Sequence, residues 1–135
     1  MQRMMANIGR FESESAAMGM RILLVEDHVD TAAALAELLV AMGHDVTVAV
    51  NVASALAAAA RQRFDFVVSD IGLPDGTGHE LMRELVRRYR LRGVAVSGYG
   101  MEEDRRRSLA SGFAQHLTKP ISVQQLREAL ETTTH

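Results

Sequence analysis

Five times between Arg21 and Thr132, a short apolar run stops at a charged or small polar residue and gives way to a stretch of helical period. The first run, Ile22-Leu23-Leu24-Val25, is apolar without alternation and ends abruptly in Glu26-Asp27. An unbroken apolar run of this length fits a strand covered on both faces, as in a parallel sheet. Leu35, Leu38, Leu39 and Met42 then recur at i, i+3, i+4 and i+7, which predicts a helix with one buried stripe. Gly43 stands where a C′ glycine would end it.

The alternation continues with a strand over Val46–Val50 and an Ala-rich helix over Val52–Ala60. A third strand over Phe64–Ser69 ends in Asp70, and Leu73-Pro74-Asp75-Gly76-Thr77-Gly78 is turn chemistry. Met82, Leu85, Val86 and Tyr89 mark one face of a third helix. A fourth strand, Val94–Val96, ends in Ser97-Gly98, and a highly charged helix over Met101–Ser111 is closed by Gly112. The fifth strand, Phe113–Thr118, runs into Lys119-Pro120. The last helix opens at Ser122 with Gln125 three residues on, a capping box, and buries Leu126, Ala129 and Leu130. Five strands alternating with five helices imply a doubly wound α/β sandwich around a parallel sheet.

The 135 residues are one domain's worth, and 47% hydrophobic with 24% charged residues is a globular balance. A net charge of −2 excludes a strongly basic nucleic-acid footprint, and the absence of cysteine excludes disulfides, thiolate metal sites and a Cys nucleophile. Nothing approaches the roughly 18 consecutive apolar residues of a membrane span. Residues 1–20 mix Arg3, Arg10, Glu12 and Glu14 without an apolar core, so a secretory signal is not expected and a cytoplasmic location is. That stretch has no period. It reads as a flexible leader or linker, as a cloning scar, or as sequence upstream of a start near Met18 or Met20. The domain is placed at residues 21–132, with 133–135 as a tail.

In an open parallel sheet, ligands gather beyond the carboxyl ends of the strands. Glu26, Asp27, Asp70, Ser97 and Lys119 fall there: three carboxylates, one hydroxyl and one ammonium. Clustered carboxylates repel one another unless a cation lies between them. An all-oxygen set favours Mg²⁺, and a carboxylate beside it can attack a phosphoryl group. Lysine and hydroxyl would neutralise and hydrogen-bond the phosphoryl oxygens. The set reads as phosphoryl transfer onto an aspartate.

These residues resemble the receiver domain of two-component response regulators over about Arg21–Thr132. The likeness rests on Arg21-Ile-Leu-Leu-Val-Glu-Asp27, Val67-Val-Ser-Asp-Ile-Gly-Leu-Pro-Asp-Gly76, Val94-Ala-Val-Ser97 and Lys119-Pro120, in that order and each at a strand. It implies a flavodoxin-like sheet of order 2-1-3-4-5. Asp70 would be the phosphoacceptor. Glu26, Asp27, Asp70 and the backbone carbonyl of Gly72 would hold Mg²⁺, with Mn²⁺ a substitute. Ser97 and Lys119 would contact the phosphoryl group, and the bond before Pro120 would be cis. The implied donor is a histidine kinase or a histidine phosphotransfer protein. The implied output is a protein partner on the face of the fourth helix, fifth strand and fifth helix, with no nucleic-acid or membrane contact.

The stretch Ser97–Asp104 with His116–Pro120 looks most like receivers attached to hybrid histidine kinases; a stand-alone single-domain regulator is the other form. Three positions depart from the family pattern. His116 stands at the switch position that usually holds Tyr or Phe, Gly72 offers no side chain near a hydrolytic water, and Tyr99 is bulky enough to shield a phosphoryl group.

Simpler readings stand beside these. Asp27 fits a helix N-cap and Asp70 a turn residue. His28, His44 and His79 read as surface or turn residues rather than ligands. Glu102–Arg107 reads as a solvated helix face laced with i, i+3 and i, i+4 pairs, or as a docking surface. With the chain ending at His135, no helix-turn-helix output domain is expected. An aspartate-nucleophile phosphohydrolase would want Asp-x-Asp after the first strand, where Glu26-Asp27-His28 stands. A dinucleotide-binding module would want a glycine-rich loop there. A degenerate receiver that takes no phosphate is a further alternative, although every key position is filled.

Overall fold

The computed structural model describes residues 10–11, 19–98 and 102–134. Its elements are β1 (Arg10–Phe11), β2 (Arg21–Val25), α1 (Val29–Ala41), β3 (Asp45–Ala49), α2 (Val52–Arg61), β4 (Phe66–Asp70), β5 (Gly72–Leu73), β6 (Gly76–Thr77), α3 (Gly78–Tyr89), β7 (Arg92–Ser97), α4 (Glu102–Ser111), β8 (Gln115–Thr118) and α5 (Val123–Thr134). The main sheet has the order β1-β3-β2-β4-β7-β8. Its last five strands are all parallel, which is the expected five-stranded order 2-1-3-4-5.

Why the strands read as unbroken apolar runs is visible in the packing. Ile22 and Leu24 face a core shared with α1 and α5, including Leu35, Leu39, Leu126 and Leu130. Leu23 and Val25 face the opposite core, with Ala55 and Ala59 of α2 and Met82 and Leu85 of α3. Val67 and Ala95 join the second core, and Phe66, Val68, Val94 and Val96 the first. Both faces of the sheet are dry, so neither can carry the polar half of an alternating strand.

Local chemistry sets the boundaries. Gly43 has φ 100° after α1, as a C′ glycine should, and Gly112 has φ 116° after α4. Asn51 and Ser54 form a capping box on α2, and Thr77 and Glu80 one on α3. Ser122 and Gln125 exchange the reciprocal bonds foreseen for α5, at 3.0 Å each.

Several expectations are corrected. Residues Arg10–Phe11, inside the stretch read as a leader, pair antiparallel with Thr47 and Val46 as an added sheet edge. The strands start later than Phe64 and Phe113, because both rings are buried plugs beneath the sheet rather than ladder residues. The turn after Asp70 is a small hairpin, in which Gly72 pairs with Thr77 and Leu73 with Gly76. Tyr89 is exposed, while His79 and Leu81 are buried, because α3 is flanked by both α2 and α4. No described helix is long and apolar enough to cross a membrane.

The fourth helix is unlike the rest. Among its described residues the buried ones are Ser108 and Ser111, and Leu109 is 53% exposed. Glu102–Arg107 is largely solvated, but no ion pair links its acids to its arginines among the described residues. Instead, Arg105 reaches the backbone carbonyl of His116 at 3.4 Å.

Candidate functional site

The carboxyl ends of β2, β4 and β8 meet at one edge of the sheet. Glu26 follows β2 directly and is 1% exposed, with its amide donating to Ala49 at 3.0 Å. Asp70 ends β4, and its Oδ1 accepts from its neighbour's amide, Ile71, at 2.7 Å. Lys119, just past β8, is anchored by its amide to the Ser97 carbonyl at 2.7 Å. Its peptide bond to Pro120 is cis.

The backbone of Asp70 is pinned by the hairpin that follows it. The amide of Gly78 donates to Ile71 at 2.7 Å, and a Cβ on Gly78 would lie 2.3 Å from the Asp70 carbonyl oxygen. Only glycine lets α3 start this close to the acidic edge. Asp75, at the hairpin tip, accepts from the amides of Val52 and Ala53 at 2.7 and 3.0 Å, so the hairpin is tied to the N-terminus of α2.

Lys119 Nζ lies 2.9 Å from Glu26 Oε1 and 3.4 Å from Asp70 Oδ2. Burial disfavours the ionised Glu26, but hydrogen bonds from Lys119 and from the backbone and ring of His28 outweigh it and hold its carboxyl below the usual range. Asp70 is pushed up, first by burial and then by the charge of Glu26. For Lys119, burial is outweighed by its two carboxylate partners, and its ammonium is held above the usual value.

Asp27 is not spent on capping. The N-cap of α1 is His28, which makes no side-chain cap bond. A buried oxygen of Asp27, Oδ1, has no hydrogen-bond partner, and the nearest cationic group, His28 Nδ1, is 3.5 Å away. A buried carboxylate oxygen without a donor, beside two further carboxylates, fits a hard divalent cation. Ligand atoms from Glu26, Asp27, His28 and Asp70 all lie within 4.8 Å of one another. His28, read from sequence as a surface residue, is exposed but belongs to this cluster, with Nδ1 3.1 Å from Glu26 Oε2.

Ser97, whose carbonyl accepts from the Lys119 amide, is joined to His116, with Ser97 Oγ 3.0 Å from His116 Nε2. His116 Nδ1 is in turn 2.7 Å from Ser108 Oγ, which is 3.2 Å from His79 Nε2. All four side chains are buried. His79 is therefore no surface or turn residue, and His44, which accepts from the Met20 amide at 3.0 Å, is half-buried too. Single polar residues on four separate elements gave no pattern by which to find this chain. Gly72 opens the hairpin, exposed, two residues past Asp70. Tyr99 lies outside the described residues.

The model of the response regulator receiver domain family matches residues 22–131. The "Uncharacterized 14.6 kDa protein in sodA1 3'region" of Leptolyngbya boryana is 41% identical over 76% of this chain and 80% of its own length. The response regulator protein PilR of Pseudomonas aeruginosa is 34% identical over 83% of this chain, which spans only 25% of PilR. Among solved structures, the receiver domain of sensor histidine kinase PA1611 from Pseudomonas aeruginosa aligns with a TM-score of 0.78 at 28% identity. The alignment covers 86% of this chain and 98% of that one, whose active-site cleft holds a magnesium ion.

Proposed function

The chain belongs to the family of response regulator receiver domains, and on that premise we propose that it is the phosphoacceptor of a two-component phosphorelay, phosphorylated on Asp70. The donor is a histidine kinase or a histidine phosphotransfer protein. The observation that carries this reading is the meeting of Asp70 with two more carboxylates and a single ammonium at one sheet edge.

In this reading an oxygen of Asp70 forms the new P–O bond while the donor's P–N bond breaks. The bonding pair stays on the imidazole nitrogen, which takes up a proton. Glu26, Asp27 and Asp70, with the carbonyl of Gly72, would hold Mg²⁺ or Mn²⁺. The cation would neutralise the phosphoryl oxygens as they approach the acidic edge. Lys119 exchanges one carboxylate partner for phosphoryl oxygens, and Ser97 donates a hydrogen bond to them. The chain acts as a signalling module in the cytoplasm, with no turnover beyond its own phosphorylation and hydrolysis.

The output surface is the face of α4, β8 and α5, where Leu109 and Val123 are exposed. A partner protein reading this face, as a stand-alone regulator or as the receiver segment of a hybrid kinase, completes the proposal. The likeness to the receiver of a sensor kinase supports the second form.

Intact-protein mass after incubation with Mg²⁺ and acetyl phosphate tests this, alongside Asp70→Asn. One phosphoryl adduct that requires Mg²⁺ and vanishes in the variant is expected. No adduct and no donor consumption would mean a degenerate receiver or a domain that accepts only from its own kinase. Donor turnover without an adduct would mean a phosphohydrolase.

A further inference from the structure

We propose that His28 is a further metal ligand at the acidic edge, and that its ring nitrogen makes the site prefer first-row transition dications to Mg²⁺. The inference rests on the metal site of the phosphoacceptor reading and adds a nitrogen to a donor set that was all oxygen.

Glu26 divides its two oxygens between different partners. Oε1 lies 2.9 Å from Lys119 Nζ, and Oε2 lies 3.1 Å from His28 Nδ1. The backbone amide of His28 also donates to Oε2 at 3.1 Å. That oxygen therefore keeps a donor when the ring turns its nitrogen to another use.

The ring's second neighbour carries the argument further. Nδ1 lies 3.5 Å from Asp27 Oδ1, a buried oxygen that has no hydrogen bond. One ring proton directed at Glu26 cannot satisfy Asp27 as well. A cation among the three atoms satisfies them together. Donors that share an octahedral ion at about 2.1 Å stand roughly 3 Å apart along each edge, near the separations seen here. Asp70 offers a fourth atom, and all four lie within 4.8 Å of one another.

The ring is also available. His28 is exposed, and its Nε2 makes no hydrogen bond among the described residues. The ring proton can sit there and leave the Nδ1 lone pair for a metal. Mg²⁺ is hard, holds its waters and takes oxygen ligands. Imidazole suits the transition dications, while Mn²⁺ shares with Mg²⁺ its affinity for carboxylates. A difference between those two ions thus isolates the nitrogen.

Mn²⁺ and Mg²⁺ titrations of the unmodified full chain at pH 8, without a phosphodonor, test this. The EPR signal of free Mn²⁺ measures its binding, and competition against it measures Mg²⁺. Electron spin-echo modulation from a directly coordinated nitrogen is expected in bound Mn²⁺, and His28→Ala should abolish it. The same variant should weaken Mn²⁺ about tenfold, the lower bound for disturbing a metal ligand, and Mg²⁺ by less than about twofold.

His28→Asn keeps an amide donor near Nδ1 but has no nitrogen lone pair, so its preference for Mn²⁺ should fall as far as that of His28→Ala. No nitrogen modulation in the unaltered chain, equal weakening of both ions by His28→Ala, or a preference restored in His28→Asn would overturn the proposal and leave His28 a hydrogen-bond partner of Glu26. Failure of both ions to bind would overturn it together with the proposed metal site. Nitrogen-coordinated Mn²⁺ in a chain that takes no phosphoryl group from acetyl phosphate would uphold it and count against the phosphoacceptor reading instead.

Discussion

Lys119 Nζ lies closer to Glu26 than to Asp70, at 2.9 against 3.4 Å, so the lysine is held chiefly by a carboxylate other than the proposed acceptor. Glu26 is almost fully buried, and removing its partner leaves a charge in the protein interior. Lys119→Met is expected to cost about 2–3 kcal/mol in urea unfolding at pH 7, the value of a charged hydrogen bond, since His28 still serves the other oxygen. Millimolar Mg²⁺ should return part of that loss. A variant as stable as the parent would mean that Glu26 is protonated without its lysine.

Cation binding should appear as stability in the unmodified chain. At a hundredfold excess over its dissociation constant, Mg²⁺ adds about 2.7 kcal/mol, and Asp27→Asn should abolish most of the gain. Thermal unfolding with and without the ion measures it. A shift retained in Asp27→Asn would move the ion away from the orphaned oxygen.

The hairpin latch makes a prediction about acid. Amides of Ala53 and Val52 hold the Asp75 carboxyl below the usual range. Its folded pKa is depressed, so the latch stabilises above the ordinary value of 3.8 and is lost as pH falls through the lower folded value. Asp75→Asn should flatten that part of the stability profile while leaving the profile above pH 5 nearly parallel.

His79 acts in a higher window. Its folded pKa is depressed by burial, so the unfolded chain binds its proton first. Stability should decline as pH falls below the ordinary histidine value of 6.5, and His79→Gln should reduce that slope, leaving the share of His44, whose imidazole burial also holds below the usual value. Chemical denaturation between pH 5 and 7.5 reads it directly.

Gly78→Ala would place a methyl 2.3 Å from the Asp70 carbonyl oxygen. Overpacking of this kind costs about 1–3 kcal/mol, and here the strain falls on the backbone of the proposed acceptor. Both stability and acetyl phosphate uptake should drop, where Leu109→Ala on exposed α4 should change stability by less than about 0.5 kcal/mol.

The parallel core was legible because dry sheets force unbroken apolar runs, as in Ile22–Val25 and Val94–Val96. The acidic edge was legible because strand ends are countable: Glu26, Asp27, Asp70 and Lys119 come together as their positions implied. What escaped was set by side chains meeting across unrelated elements. His79 and Ser108 are 29 positions apart, and Asp75 and Val52 are 23 apart, with no periodicity joining either pair. The pairing of Arg10–Phe11 is too short to alternate. The charges of Glu102–Arg107 suggested ion pairs by spacing, but exposed side chains gain too little from such pairs to be held in them.

A helix whose inner face is Ser108 and Ser111 is moored by direction more than by area. Releasing it would wet little hydrocarbon, so the change in heat capacity would be close to nil. The balance between moored and released α4 would then follow a straight van't Hoff line, without the curvature that makes apolar docking weaken in the cold. A signalling surface built this way would keep the same thermal response across the whole working range of the fold beneath it.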